Sequence, residues 1–297
     1  MVSPLLADLF ESHRAHLLSV AYRLTGSVGD AEDAVQESWL RMAGVHQSEI
    51  DDLRAWLTTV VSRICLDHLR SAAVRRESYV GQWLPEPIVT TPSRTPDPLD
   101  VVVRNQDSRM AAMVVLDALT PQQRVALVLH DSLDVPFDEI AEILGVSADA
   151  ARQLAVRARK AAAKAPEPVP DDVHDQAVHK FLAALATGDV VAVAATLHPD
   201  ATFVADAGGT TKTALNVVAG AEKIARLALG LWRKHLEEPG LDMGFAAVNG
   251  QSGLVLTDPN SPFGRPVRVL GFSVRDGKVW AAYDFANVMK LSGARLR

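Results

Sequence analysis

The placement of proline constrains this chain more than any other feature. Pro85, Pro87, Pro92, Pro96 and Pro98 fall between residues 83 and 108, mixed with Ser, Thr and Asp. Pro166, Pro168 and Pro170 interrupt 165–172. Proline has no amide donor and disfavours helix in the residue before it, so both stretches read as extended, semi-stiff linkers. The chain of 297 residues is thereby parted into 1–82, a linker at 83–106, 107–165 and 166–297. Compact domains of about 100–150 residues are usual, so two or three domains are expected.

Each part has its own periodicity. In 51–72 the apolar residues Leu53, Trp56, Leu57, Val60, Val61, Ile64, Cys65 and Leu69 step by three and four, which marks one buried helix face. Asp51 is a candidate cap for it. An earlier helix runs through Leu5–Leu24 to a left-handed cap at Gly26, and Asp30 starts another over 31–42. In 107–164, Thr120-Pro121 and Val135-Pro136 are helix-opening pairs. After 172 come helices at 173–186 and 188–196, a strand at 201–205 and a helix at 219–236. Strands follow at 242–248, 252–257, 266–275 and 278–286, with Asn249-Gly250 and Asp276-Gly277 as hairpin turns. The fold class is therefore mainly α in the N-terminal two-thirds, with an α+β domain at the C-terminus.

Composition removes several classes. Cys65 is the only cysteine, which excludes an internal disulfide framework and a Cys-based zinc site. No stretch approaches the roughly 18 apolar residues that span a bilayer. No signal peptide, no membrane association and a cytoplasmic location are expected. The net charge of −6 argues against nucleic acid, but its distribution argues for it. Residues 147–164 carry Arg152, Arg157, Arg159, Lys160 and Lys164 against Asp149 alone. Arg70, Arg75 and Arg76 form a second basic cluster. A local basic patch is what a phosphate backbone meets.

The basic run belongs to a helix-turn-helix pattern. Ile140, Ala141, Ile143 and Leu144 give a short helix, Gly145 a tight turn and Ser147 the cap of a second helix. A duplex major groove admits one α-helix, read through its exposed side chains. Arg152, Gln153, Val156 and Arg157 would lie near base edges, with Arg159 and Lys160 near phosphates.

Specific motifs surround this pattern. Ala21-Tyr22-Arg23-Leu24-Thr25-Gly26 and Asp30-Ala31-Glu32-Asp33-Ala34-Val35-Gln36-Glu37 resemble the second region of extracytoplasmic-function sigma factors. Leu119-Thr120-Pro121-Gln122-Gln123-Arg124 and Pro136-Phe137-Asp138-Glu139-Ile140-Ala141 resemble their fourth region. Trp83-Leu84-Pro85-Glu86-Pro87 is similar to the linker motif of the SigJ-like subgroup, whose members carry a SnoaL-like C-terminal extension.

The resemblance implies a non-enzymatic promoter-recognition subunit for core RNA polymerase, with no cofactor and no metal. Glu32, Asp33, Gln36 and Glu37 would dock on the β′ clamp helices, and the fourth region on the β flap. Arg63, Asp67, His68, Arg70, Arg75 and Arg76 would hold the −10 element, and the helix at 147–164 the −35 element. Trp56 and Cys65 lie on the apolar stripe and read as core rather than as stacking or reactive groups.

For 166–297 the resemblance implies a cone-shaped domain that regulates the sigma regions in cis. A small apolar ligand is a candidate effector. The regulatory residues would be Trp83, Pro85, Asp206, Gly208, Gly209 and Lys212. Asp206-Ala207-Gly208-Gly209-Thr210-Thr211-Lys212 departs from the subgroup's Asp-Gly-Gly-Gly-Lys loop by an Ala and two inserted threonines. Asn287-Val288-Met289-Lys290-Leu291 lacks the Pro and Asp of the terminal motif.

Two other classes compete. A ligand-sensing repressor would bind duplex without polymerase. An enzyme of the cyclase or isomerase kind would bring two titratable groups together, from His198, Asp200, Asp206, Tyr283 and Asp284. The acidic face at 31–42 favours the sigma reading over both.

Overall fold

The computed structural model describes residues 4–46, 50–76, 79–90, 98–104, 108–163, 165–209, 211, 213–237, 240–260, 266–291 and 294. The chain forms two compact units. The first is Met1–Ser78, Thr95–Ser108 and Ala112–Ala165. The second is Tyr79–Arg94, Arg109–Ala111 and Pro166–Arg297. No helix among the described residues is long and apolar enough to cross a membrane.

The first unit is helical. α1 (Pro4–Thr25), α2 (Val28–Ala43) and α3 (Leu53–Arg76) pack on one another. Leu17, Tyr22, Leu24, Met42, Leu57 and Ile64 fill the space between them. Gly26 leaves α1 at φ 70° and returns its amide to the Tyr22 carbonyl, the expected left-handed cap. Two caps differ from expectation by a residue or three. α2 starts at Val28 and is capped by Ser27, whose Oγ accepts from the Asp30 amide. α3 is capped by Asp52, which accepts from the Ala55 amide at 3.0 Å, and not by Asp51. Trp56 is half-buried and lies outside the core, because its place on the stripe is at the edge.

α4 (Pro98–Arg104) lies inside the span expected to be an extended linker. Pro98 at a first turn pre-sets the helical φ, and Val102 and Val103 behind it are buried. α5 (Met110–Asp117), α6 (Pro121–Leu133), α7 (Phe137–Leu144) and α8 (Ala148–Ala162) follow. Thr120 and Gln123 close a capping box at the head of α6. α6 also packs against α1 and α3. Arg124 joins these elements: its guanidinium donates to the Leu24 carbonyl at 2.9 Å and to the Asp117 carboxylate at 3.0 Å.

The second unit is α+β, as expected. Its sheet has seven strands in the order β1-β4-β5-β6-β7-β2-β3. They are β1 (Val89–Thr90), β2 (Leu197–Asp206), β3 (Val218–Ala219), β4 (Asp242–Val248), β5 (Gln251–Thr257), β6 (Pro266–Arg275) and β7 (Lys278–Phe285). Only β2 and β7 pair in parallel. α9 (Asp171–Thr187), α10 (Val190–Thr196) and α11 (Ala221–Glu237) bury Phe181, Val193 and Ile224 with Phe203, Leu254 and Phe272 of the sheet. Asn249-Gly250 and Asp276-Gly277 make the expected turns, all four residues having positive φ.

β1 was not expected. It comes from the proline-rich stretch, pairs Val89 with Val248, and is pinned by the next turn. Asn249 accepts from the Ile88 amide at 3.0 Å and donates its own amide to the Ile88 carbonyl at 2.8 Å. A two-residue strand carries no alternation to read, so only tertiary pairing reveals it.

Candidate functional site

Three surfaces of the helical unit carry the sequence-predicted residues. On α8 the inward positions Ala151, Ala155 and Ala158 are fully buried, and their small size lets α8 lie close to α6. Gly145 at φ 69° turns the chain between α7 and α8, and Ser147 Oγ accepts from the Ala150 amide at 3.2 Å. Arg152, Gln153, Val156, Arg157, Arg159 and Lys160 are all exposed. Arg152 pairs with Asp149 at 2.7 Å, and Arg157 donates to Gln153 at 3.3 Å. Arg159 differs from its neighbours. Its guanidinium makes a bidentate pair with Asp131 of α6, at 2.7 and 2.5 Å, which holds its pKa up. That geometry ties the two helices together and leaves Arg159 less available than Arg157. Ser147→Ala is expected to destabilise this region by about 1 kcal/mol, through loss of the cap. Amide exchange along the first turn of α8 measures it.

On α3, Arg63, Asp67 and Arg70 are exposed and His68 is half-buried. Arg70 pairs with Asp67 at 3.3 Å. Arg75 and Arg76 end the helix, and their side chains lie outside the described ones. Cys65 is fully buried, which pushes its thiol well up and leaves it inert. On α2, Glu32, Asp33 and Gln36 are exposed, and half-buried Glu37 pairs with Arg41 at 2.5 Å. Leu40 lies one turn further along the same face and is 69% exposed. An apolar side chain beside an acidic cluster widens this surface, and the i, i+3, i+7 spacing Asp33-Gln36-Leu40 could have shown it.

His16 sits where α1 meets α3. Arg54 donates to its Nδ1 at 3.3 Å, and its Nε2 lies 3.0 Å from Thr58 Oγ1. Burial and then the charge of Arg54 lower its pKa from 6.5 to about 4. Between those values the unfolded chain binds the extra proton and the folded chain does not, so stability falls as pH is lowered from 6.5 to about 4. In His16→Gln this acid-side slope should flatten, as urea midpoints across that range would show.

The second unit clasps the proline-rich stretch. Asp206 closes β2 and is fully buried. Its Oδ1 accepts from the Tyr79 hydroxyl. Its Oδ2 accepts from the Leu84 amide at 2.8 Å and from Lys290 Nζ at 2.6 Å. Its backbone carbonyl takes the amides of Ala286 and Asn287. Lys290 also donates to the Leu84 carbonyl and lies 3.2 Å from the centroid of the Trp83 ring. Asn287 Nδ2 donates to Tyr79 Oη at 2.8 Å. Tyr79 meets Trp83 edge-on at 4.8 Å, and burial, then Asp206, push the Tyr79 phenol up. Pro85 is buried beside Leu84.

Gly208 and Gly209 have φ of 56° and 74°. A Cβ on Gly208 would stand 2.6 Å from Asn287 Nδ2 and 3.2 Å from Tyr79 Oη. Gly208→Ala should therefore break the Tyr79–Asn287 contact, at a cost of about 1–3 kcal/mol of strain. Its measure is faster amide exchange at Leu84. Lys212 lies outside the described residues.

Trp83, Pro85, Asp206, Gly208 and Gly209 thus come together in one cluster. Tyr79 and the pairing of Lys290 with Asp206 were missed, since both partners lie far off in sequence.

The other acidic candidates do not join it. Asp200 is exposed, and His198 lies 3.6 Å from Asp276. Tyr283 is buried against Ser273. Ala205 pairs beside Asp284 and Asp206 beside Phe285, so the two aspartates point to opposite faces of the sheet. Asp284 instead lines a cavity of about 140 Å³ under the helices, beside Arg268 at 2.9 Å.

The family model for sigma-70 region 2 matches residues 9–75, and that for sigma-70 region 4 matches 109–161. The chain is 51% identical to the ECF RNA polymerase sigma factor SigJ of Mycobacterium tuberculosis, over 97% of this chain and 94% of that one. It is 31% identical to the probable ECF RNA polymerase sigma factor SigI of the same species, over 91% and 89%. The crystal structure of the Mycobacterium tuberculosis extracytoplasmic function sigma factor SigJ superposes with a TM-score of 0.81 at 49% identity, covering 98% of this chain and all of that one. The helical regions, the clasped segment and the α+β domain recur together in that fold, and the chain belongs to the extracytoplasmic-function RNA polymerase sigma factors.

Proposed function

We propose that this chain binds core RNA polymerase in the cytoplasm, directs promoter-specific initiation, and is modulated in cis by its C-terminal domain. Exposed Glu32, Asp33 and Gln36, with Leu40, supply the surface for the β′ clamp helices. The fourth region, 107–165, would meet the β flap. Arg152, Gln153, Val156 and Arg157 read the −35 duplex from α8, Lys160 meets phosphate, and Arg159 stiffens the motif through Asp131. Arg63, Asp67, His68 and Arg70, continued by Arg75 and Arg76, hold the −10 strand.

The observation that carries cis modulation is the Asp206 cluster. The segment joining α3 to α4 is the tether between the two promoter-reading regions, and residues 79–90 of it are folded into the C-terminal domain. A held tether limits how far those regions can separate, which would couple the domain to promoter engagement. This places the boundary of the C-terminal module differently from 166–297. The tether residues 79–90 act with that module, and a linker proper shrinks to what lies between β1 and α4.

Run-off transcription with core polymerase tests the reading. Specific transcripts should require the chain and fall about tenfold or more in Arg152→Ala or Arg157→Ala, one base contact being worth ~1–3 kcal/mol. Tight, specific duplex binding by the chain alone, with no core-dependent transcript, would support a repressor instead.

A further inference from the structure

We infer that the cavity of the C-terminal unit takes a compact apolar molecule carrying one hydroxyl group, and that its occupation is transmitted to the Asp206 clasp. The inference rests on the cis-modulation reading above.

The cavity walls are apolar: Phe181, Phe203, Leu231, Trp232, Leu254 and Phe272 line it. At about 140 Å³ it is close in size to cavities of about 150 Å³ that take up a single benzene ring. Arg268 and Asp284 are the polar groups at one wall. Their pairing is incomplete. Arg268 Nε lies 2.9 Å from Asp284 Oδ1, yet that oxygen accepts no hydrogen bond, and Arg268 Nη2 is a buried donor with no acceptor. Such groups are costly to leave unmet in an apolar surround.

The pair selects the ligand's head group. A carboxylate would face the charge of Asp284, and an ammonium that of Arg268, so either would upset two buried charges that already offset each other. A hydroxyl offers one acceptor to Arg268 Nη2 and one donor to Asp284 Oδ1. A ring without it leaves both unmet.

Bonded contacts link this wall to the clasp. Asp284 Oδ2 accepts from Thr213 at 3.0 Å. Thr213 ends the loop that begins with Gly208, against Tyr79 and Asn287. Thr211 of the same loop donates to the Ala286 carbonyl at 3.4 Å. Asn287, the partner of Tyr79, is three residues beyond Asp284 on the chain leaving β7. A ligand that fixes Asp284 therefore fixes both strands of chain that hold Tyr79.

The test uses the full chain with p-cresol, toluene and p-toluate. Titration calorimetry reads binding, and amide exchange over 79–90 reads the clasp. Expected are saturable binding of p-cresol, binding of toluene and p-toluate weaker by about tenfold or more, and slower exchange at Leu84 with p-cresol. Ala228→Leu, which fills the cavity from α11, should abolish binding while the circular dichroism spectrum is unchanged. Equal binding of toluene and p-cresol would overturn the head-group assignment. Binding without a change at Leu84 would overturn the coupling. No binding by any probe would overturn the ligand site. If clasp variants still alter transcription in that case, the cis-modulation reading stands without it.

Discussion

Replacing Asp206 by alanine is expected to destabilise the C-terminal unit by about 3–5 kcal/mol, the cost of leaving a buried charge without its partner. The substitution strands the Lys290 ammonium, 6% exposed, together with the Tyr79 hydroxyl and the Leu84 amide. No water reaches this site to replace the lost carboxylate, since Asp206 and Leu84 are buried and Lys290 nearly so. The cost arises from the orphaned partners more than from the pair itself. Asp206→Leu combined with Lys290→Met should therefore recover much of the loss, because it removes both charges and keeps the volume filled. Denaturant midpoints for the two singles and the double decide this. A single Asp206→Ala within about 1 kcal/mol of the parent would show that the cluster is not a unit.

Arg124→Ala is expected to cost the helical unit about 3–5 kcal/mol, for a related reason. Arg124 is 2% exposed and spans three elements with one planar group. It serves the Leu24 carbonyl at the end of α1 and both the carbonyl and the carboxylate of Asp117 at the end of α5. Its Asp117 partner is itself 13% exposed, so it too is left charged and largely desolvated. Lysine is a poor substitute, because a single ammonium cannot reproduce the fork that meets acceptors on both sides. Arg124→Lys should therefore recover less than half of the loss. Thermal unfolding, together with amide exchange in the last turn of α1 and the first of α6, measures both variants. Unaltered exchange at the end of α1 in Arg124→Ala would show that the contact carries no stability between these helices.

Most elements were legible because their signals are local. The three-and-four steps of 51–72 and the Gly145–Ser147 turn each need only a few neighbouring residues to be read. The Asn-Gly and Asp-Gly turns fixed the hairpins in the same way, since few residues other than glycine and Asn or Asp tolerate positive φ there. The surfaces on α2, α3 and α8 were legible as faces, since exposure follows helix period. What was not legible depends on distant partners. Arg159 looked like its basic neighbours until Asp131, 28 residues earlier, claimed it. Asp206, followed by Ala207-Gly208-Gly209, reads locally as a loop acid. Its burial follows from Tyr79 and Lys290, 127 and 84 residues away. The proline stretch gave a correct reading of no long helix at 79–90 but could not show that the segment completes another domain's sheet.

The central claim, that the C-terminal domain governs the sigma regions through the tether, is tested most directly by core-dependent run-off transcription from one promoter. The parent chain is compared with Tyr79→Phe, which removes the hydroxyl shared by Asp206 and Asn287 and leaves the ring against Trp83. Transcript yield is predicted to change by about fivefold or more, the scale of a coupling of ~1 kcal/mol or above, with core polymerase affinity measured alongside. Equal yields from the two chains, with amide exchange showing the tether released in the variant, would contradict the account.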